Sequence, residues 1–257
     1  MLDCKTDVKP NSKGEGYKEM LMRLDKFLTH TATLSRSEAA RAARAGRLTV
    51  NGKLVRDCSQ KLDPDADTVT LDGETVMYRK FTWIMLNKPT GVVSATEDGR
   101  DRTVLDLLPE KLRSLELFPC GRLDRDTVGL VMLTNDGELS HELLSPRHHA
   151  EKKYVFTLSR PYDKSVGLET GILMDGKMTK PAVIEMADEL HGSITLTEGK
   201  YHQIKRMFER AGSSVTYLRR VSFGGIPLDE SLAEGEWRYL TAEEEATLRQ
   251  AVGKAAL

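Results

Sequence analysis

Long hydrophobic runs are missing from this 257-residue chain, whose apolar stretches are as short as Trp83 to Leu86. A membrane-spanning helix needs roughly 20 such residues, so no spanning segment is expected. The first 21 residues mix Asp3, Lys5, Asp7, Lys9, Pro10, Asn11 and Gly14 and lack the apolar centre of a secretory signal, which points to the cytoplasm. Cysteine is scarce: Cys4, Cys58 and Cys120 are odd in number and far apart, fitting neither a disulfide framework nor a zinc knuckle. There is no Walker loop, no dinucleotide fingerprint after a strand and no HExxH, so the usual equipment for nucleotide hydrolysis, hydride transfer and zinc proteolysis is absent. Gly14-Glu15-Gly16 is an isolated fragment that carries nothing.

What is present is an ordinary mixture, 39% hydrophobic and 30% charged, enough for one good core and a small satellite domain. The net charge of −1 hides a strong polarisation. Between Met22 and Leu62 stand nine cations (Arg23, Lys26, Arg36, Arg41, Arg44, Arg47, Lys53, Arg56 and Lys61) against Asp25, Glu38 and Asp57. That segment is +6, which leaves −7 for the rest. Within it Leu24, Phe27 and Leu28 recur at helical spacing, Ser35 and Glu38 form a capping box that opens a second helix, and Gly46 ends it. Leu48–Val50 and Lys53–Val55 flank Asn51-Gly52, the dipeptide suited to a two-residue hairpin turn. Arg41 and Arg44 share a face of the second helix with Arg47 just beyond its end, while Ala39, Ala40 and Ala43 allow close packing. Such a face either follows phosphates or is merely solvated; the charges alone leave both readings open.

The stretches MRLDKFL and SRSEAARAARAGRLTVNGKLV resemble the alpha-L RNA-binding module, over residues 22 to about 75. The resemblance implies a helix pair and hairpin that grip structured RNA, with Arg23, Arg36, Arg41, Arg44 and Arg47 as the matching cations. Residues 1–21 precede it and are either a disordered extension or an artefact of start-codon choice. A boundary follows near Tyr78 to Lys80, giving an RNA-binding domain over 22–79, a second domain over 80–250 and a tail over 251–257. In the second domain, period-two strands such as Tyr154 to Leu158 and Ile194 to Thr197 alternate with helical runs such as Gly137 to Leu144 and Ile204 to Ala211, an α+β pattern.

The most informative segment is GRLDRDTVGLVMLTNDGELSHELLSPRHHAEKKY, beginning at Gly121. Gly121 frees the backbone, Arg122 supplies a cation, and Asp124 and Asp126 place two carboxylates ahead of a strand through Leu130 to Leu133. On these residues alone, Arg122 and Arg125 could simply pair with the aspartates on a solvated turn. GRLDxDTxGL, however, resembles the signature of pseudouridine synthases, and its extension through SPRHHxEKxY is similar to the branch that acts on small-subunit ribosomal RNA. TKPA at Thr179 to Ala182, EGKYHQIKRMF at Glu198 to Phe208 and GGIPLDxxLAEGEWRYLTAEE near the end extend the resemblance over nearly everything after Met22.

The resemblance implies a catalytic domain with a mixed, mainly antiparallel sheet flanked by helices, and an isomerase that needs no cofactor or metal. It makes Asp124 the nucleophile and gives Asp126 no chemical role. It further implies that Lys205 pairs with the catalytic carboxylate, that Tyr154 packs against the target base, and that Arg122 fills the space the base vacates. The expected partner is 16S ribosomal RNA or the assembling small subunit, and the expected state is a monomer. His141, His148, His149 and His202 are read as RNA contacts or packing, since tandem His148-His149 would point to opposite sides of an extended chain. Thr241 to Glu244 reads as another capping box, opening a structural helix. Three rivals are weighed: a large-subunit relative sharing the RLD segment, an RNA-binding assembly factor without chemistry, and a glycosidase using Asp124 and Asp126. The SPRHHxEKxY run disfavours the first, intact Asp124, Tyr154 and Lys205 the second, and the basic module the third.

Overall fold

The structure, a computed structural model, describes residues 21–145, 147, 148 and 150–254. His149 and residues 1–20 of the expected N-terminal extension lie outside the described residues. By contact density the chain divides into two units, Met1–Tyr78 and Arg79–Leu257.

In the first unit, strand β1 (Met22–Arg23) leads into α1 (Leu24–His30), then α2 (Arg36–Arg44), β2 (Leu48–Val50), β3 (Lys53–Leu54), β4 (Lys61–Leu62), β5 (Val69–Leu71) and β6 (Glu74–Thr75). β1 pairs with β4, while the other four strands form an antiparallel sheet in the order β3-β2-β5-β6. The Ser35–Glu38 capping box forms in full, each side chain meeting the other residue's backbone N–H. Asn51 and Gly52 both adopt positive φ, 50° and 74°, as the tight turn between β2 and β3 requires. Leu24, Phe27 and Leu28 of α1 meet Leu48, Val50 and Leu62 in one core. On α2 the buried alanines are Ala39, Ala42 and Ala43; Ala42 takes the packing place expected of Ala40, which is only half-buried, because three-and-four spacing from Ala39 selects 42 and 43.

The second unit runs β7 (Trp83–Lys88), β8 (Phe118–Cys120), β9 (Val128–Thr134), α3 (Gly137–Leu144), β10 (Lys152–Leu158), β11 (Leu173–Met174), β12 (Lys177–Met178), β13 (Val183–Met186), β14 (His191–Leu196), α4 (Gln203–Arg210), β15 (Val215–Phe223), β16 (Ile226–Pro227), β17 (Trp237–Tyr239) and α5 (Ala242–Gln250). A nine-stranded sheet has the main order β13-β14-β10-β15-β9-β7-β17, with β16 beside β15 and β8 beside β9. It is mixed but mainly antiparallel: β9 and β15 alone run parallel, with Val128 opposite Arg219 and Gly129 opposite Arg220. Both β7 and β9 are buried along their whole length, as central strands covered on two faces must be.

Leu139 and Leu143 of α3 and Leu248 of α5 pack with Trp83, Met85, Leu130, Met132 and Phe223. The Thr241–Glu244 capping box opens α5. Beyond that helix Val252 still belongs to this core, and Lys254 reaches Glu138 and Glu142 of α3 at 2.6 and 3.2 Å. Helix α4 packs elsewhere on the sheet, through Phe208 against Phe156 of β10 and against Tyr162, with ring centroids 4.6 and 5.2 Å apart.

Candidate active site

The loop between β8 and β9 carries the acidic pair, and its backbone is held from three sides. Gly121 begins it at φ +82°, a conformation side chains resist. Ser94 grips the residue before the first carboxylate: its Oγ accepts from the Leu123 N–H and donates to the Leu123 carbonyl, both at 3.1 Å. Lys88, at the end of β7 and fully buried, donates to three carbonyls, those of Pro89 (3.0 Å), Arg125 (3.2 Å) and Thr127 (2.8 Å). Burial pulls the Lys88 ammonium down to about 8, opposed by the nearby Asp126 and Asp124 carboxylates. The loop leaves through Gly129, whose φ of +98° lets the chain pass β15; a Cβ there would lie 2.3 Å from the Arg220 carbonyl oxygen. The second glycine of the GRLDRDTVGL string thus sits where the two parallel strands pass closely.

Onto this loop α4 brings Lys205. Its Nζ lies 3.1 Å from Asp124 Oδ2 and 2.6 Å from Asp126 Oδ1, so one ammonium serves two carboxylates. Asp124 and Lys205 are the sheltered pair, their side chains 28% and 19% exposed, whereas Asp126 is 71% exposed. Burial works against the Lys205 charge, but the hydrogen bonds to Asp126 and Asp124 more than offset it and hold its pKa above the usual lysine value. The Lys205 hydrogen bond likewise keeps Asp126 below the ordinary carboxylate range, against a smaller opposing contribution from burial. On the other side His202 places Nε2 3.5 Å from Asp124 Oδ1. Both oxygens of Asp124 therefore face a nitrogen, which fixes the direction of the group.

The simple pairing of Arg122 and Arg125 with the aspartates does not occur. Arg125 turns to Asp101 at 3.2 Å, and Arg122 is exposed with no ion pair to a described residue. Arg206, next to Lys205, is bound by Asp175 at 2.7 Å. Tyr154 is buried in β10, on the alternation that also buries Phe156, which packs on the helix carrying Lys205. The structure thus brings Asp124, Asp126, Lys205 and His202 within contact distance, buries Tyr154 in β10, and leaves Arg122 at the surface.

Residues 82–210 match the RNA pseudouridylate synthase family, and residues 22–67 match the S4 domain. The chain belongs to the RNA pseudouridylate synthase family. It is 44% identical over 232 residues to ribosomal small subunit pseudouridine synthase A of Escherichia coli K12, covering 88% of this chain and 100% of that one. It is 47% identical to the uncharacterized RNA pseudouridine synthase YtzG of Bacillus subtilis, over 87% of this chain and 96% of that one. A crystal structure of a pseudouridylate synthase at 39% identity superposes with a TM-score of 0.62, over 88% of this chain and 99% of the other. The synthase is therefore an RNA-acting isomerase with an N-terminal S4 RNA-binding domain.

Sequence reasoning passed over four features of the synthase's site. Asp126 shares Lys205 and is the nearer partner, which its alternation along a loop could not reveal. His202 adjoins Asp124 although 78 positions separate them. Lys88 and Ser94 hold the loop from the β7 side, and the visible signal for Lys88 is a lysine closing an otherwise uncharged buried strand.

A second buried cation supplies a pH prediction. Lys152 of β10 donates to the Ala150 carbonyl at 2.9 Å and lies 5.4 Å from the Phe223 ring centroid. Burial lowers its pKa to about 8, with Arg220 acting in the same direction. The unfolded chain therefore binds more protons at this position between about pH 8 and the usual lysine value of about 10.4, so this group's contribution to stability rises with pH through that window. Urea denaturation of wild type and Lys152→Met at pH 7.5 and 9.5 is expected to show wild type gaining relative to the variant at the higher pH; a constant difference would contradict it.

Proposed function

We propose that the synthase converts one specific uridine of 16S ribosomal RNA to pseudouridine, with Asp124 as the nucleophile, acting as a monomer in the cytoplasm. The observation that carries the chemical part is the Lys205 ammonium at 3.1 Å from Asp124 on a loop pinned by Lys88 and Ser94. The substrate part rests on the likeness to the E. coli small-subunit synthase over that protein's full length.

In the reaction the N1–C1′ bond of the uridine breaks and a C5–C1′ bond forms, the C5 hydrogen leaves to solvent, and N1 regains a proton. No net oxidation occurs. The Asp124 carboxylate forms a covalent intermediate that divides this exchange into two easier steps. Lys205, 3.1 Å from the carboxylate, holds it aimed. Tyr154 packs its ring against the base, and Arg122, exposed at the loop surface with no ion pair to a described residue, enters the space the base leaves when it flips from its stack.

Arg23, Arg36, Arg41, Arg44 and Arg47 of the 22–79 domain supply phosphate contacts. Arg23 and Arg47 already engage Asp25 and Asp72, whereas Arg36, Arg41 and Arg44 are exposed on α2 with no ion pair to a described residue. Replacing these three by Ala is expected to weaken RNA binding and to reduce the slope of log affinity against log salt by about 2 to 3, with a far smaller loss of turnover at saturating RNA. An unchanged slope would remove α2 from the interface.

The reading is tested by release of tritium from C5-labelled uridine in unmodified transcripts. Release from 16S RNA, or from its particle with ribosomal proteins, at one equivalent per molecule supports it. Release only from large-subunit RNA would reassign the substrate, and silence on all of them would leave an RNA-binding assembly factor.

A further inference from the structure

Beside the nucleophile stands an aromatic pair to which the reaction assigns no task. Tyr201 and His202 stack with ring centroids 3.8 Å apart and an interplanar angle of 18°, and His202 reaches to 3.5 Å from Asp124 Oδ1. The outer member, Tyr201, is 74% exposed, the most exposed of the large hydrophobic side chains among the described residues. A lone exposed aromatic is unremarkable, but this one is mounted rigidly. Lys200 just before it donates to the Lys177 and Met178 carbonyls of β12, both at 3.3 Å. Arg206 donates to the Tyr201 carbonyl at 3.3 Å while bound to Asp175. His202 itself takes a left-handed backbone, φ +50°, which costs a non-glycine residue free energy and persists only where its surroundings enforce it. That conformation turns the chain into α4 and sets the two rings face to face.

We infer that the Tyr201–His202 stack is a nucleobase platform: a base next to the target uridine stacks on the outer face of Tyr201 while the target enters beside Asp124. The inference rests on the RNA reading given above. An aromatic face accepts any base without a hydrogen-bond code, and each such stack typically contributes enough to change affinity by tenfold or more. Because the inner ring touches the nucleophile's carboxylate, a base on the outer ring fixes the position of the strand relative to Asp124. Tyr201 is therefore a positioning residue that acts on the RNA.

The test uses the full chain and the RNA that wild type modifies. Tyr201→Ala is expected to raise KM about tenfold with a much smaller loss of kcat, Tyr201→Phe to restore KM to within about twofold of wild type, and Tyr217→Ala, on β15, to leave it unmoved. A KM for Tyr201→Ala within twofold of wild type, or a Tyr201→Phe as impaired as Tyr201→Ala, would overturn the platform. A direct readout needs no turnover: in Tyr201→Trp, emission in excess of the wild-type background is expected to be quenched on addition of 16S RNA. If wild type proves inactive on every RNA, the catalytic reading fails and this quenching alone decides the inference, its absence overturning it.

Discussion

Asp124→Asn is expected to abolish pseudouridine formation, lowering the rate of C5 tritium release on the order of 10⁴-fold or more while RNA affinity stays within a few-fold of wild type. On the proposed mechanism the amide keeps the shape of the side chain but lacks the carboxylate that attacks carbon, and losing a nucleophile costs enzymes on this scale. The fold should persist, because Asp124 is only partly buried and its backbone is set by other groups: Ser94 on Leu123 and the turn from the Thr127 N–H to the Asp124 carbonyl at 3.1 Å. Asp126→Asn separates the two carboxylates. Lys205 would lose the charge of its 2.6 Å partner while Asp124 keeps its own, so this variant is expected to retain most of its turnover. Equal losses in both variants would show that the pair acts as a unit and that Asp124 is not the sole nucleophile.

Gly129→Ala is expected to destabilise the fold strongly. The new Cβ would meet the Arg220 carbonyl oxygen at 2.3 Å, the Arg219 Cγ at 2.9 Å and the Arg220 N at 3.0 Å, and the φ of +98° is one that L side chains rarely adopt. None of the three atoms is the loose end of a side chain. Relief requires β9 and β15 to separate at the parallel pairing, which also holds the buried Arg220 through its 2.6 Å bond to the Leu130 carbonyl. Overpacking of about 1–3 kcal/mol and backbone strain of similar size together come to about 2–6 kcal/mol. That is a large part of what holds a domain folded. Urea denaturation should show the loss; a variant as stable as wild type would mean that the two strands have room to part.

These two sites show how far the sequence could be read. Elements whose determinants are local were legible: the Ser35–Glu38 box, the Asn51-Gly52 turn and the run Gly137 to Leu144 all appear where spacing and capping put them. The α+β architecture was legible because β10 and β14 alternate and α4 is amphipathic. The RLD string drew attention to Asp124 through resemblance, while its residues alone could not distinguish a nucleophile from a solvated turn. What stayed hidden depends on contacts between distant segments. Lys88 reaches Arg125 and Thr127 across 37 and 39 positions, and Lys205 reaches Asp126 across 79. No period or motif encodes such distances. Gly129 was visible as a letter of the signature, but its reason, the close passage of β9 past β15, exists only in the folded sheet. The choice of Ala40 as a packing residue failed for a simpler reason: a run of small residues leaves the helix's phase ambiguous by one position until its neighbours are present.

The most direct test of the account maps pseudouridine at nucleotide resolution, by carbodiimide treatment and primer extension, in unmodified 16S RNA incubated with wild type or with Asp124→Asn. One new stop, given by wild type and absent with the variant, is the predicted result. A stop that persists with Asp124→Asn, or no stop in 16S RNA alongside one in large-subunit RNA, would contradict it.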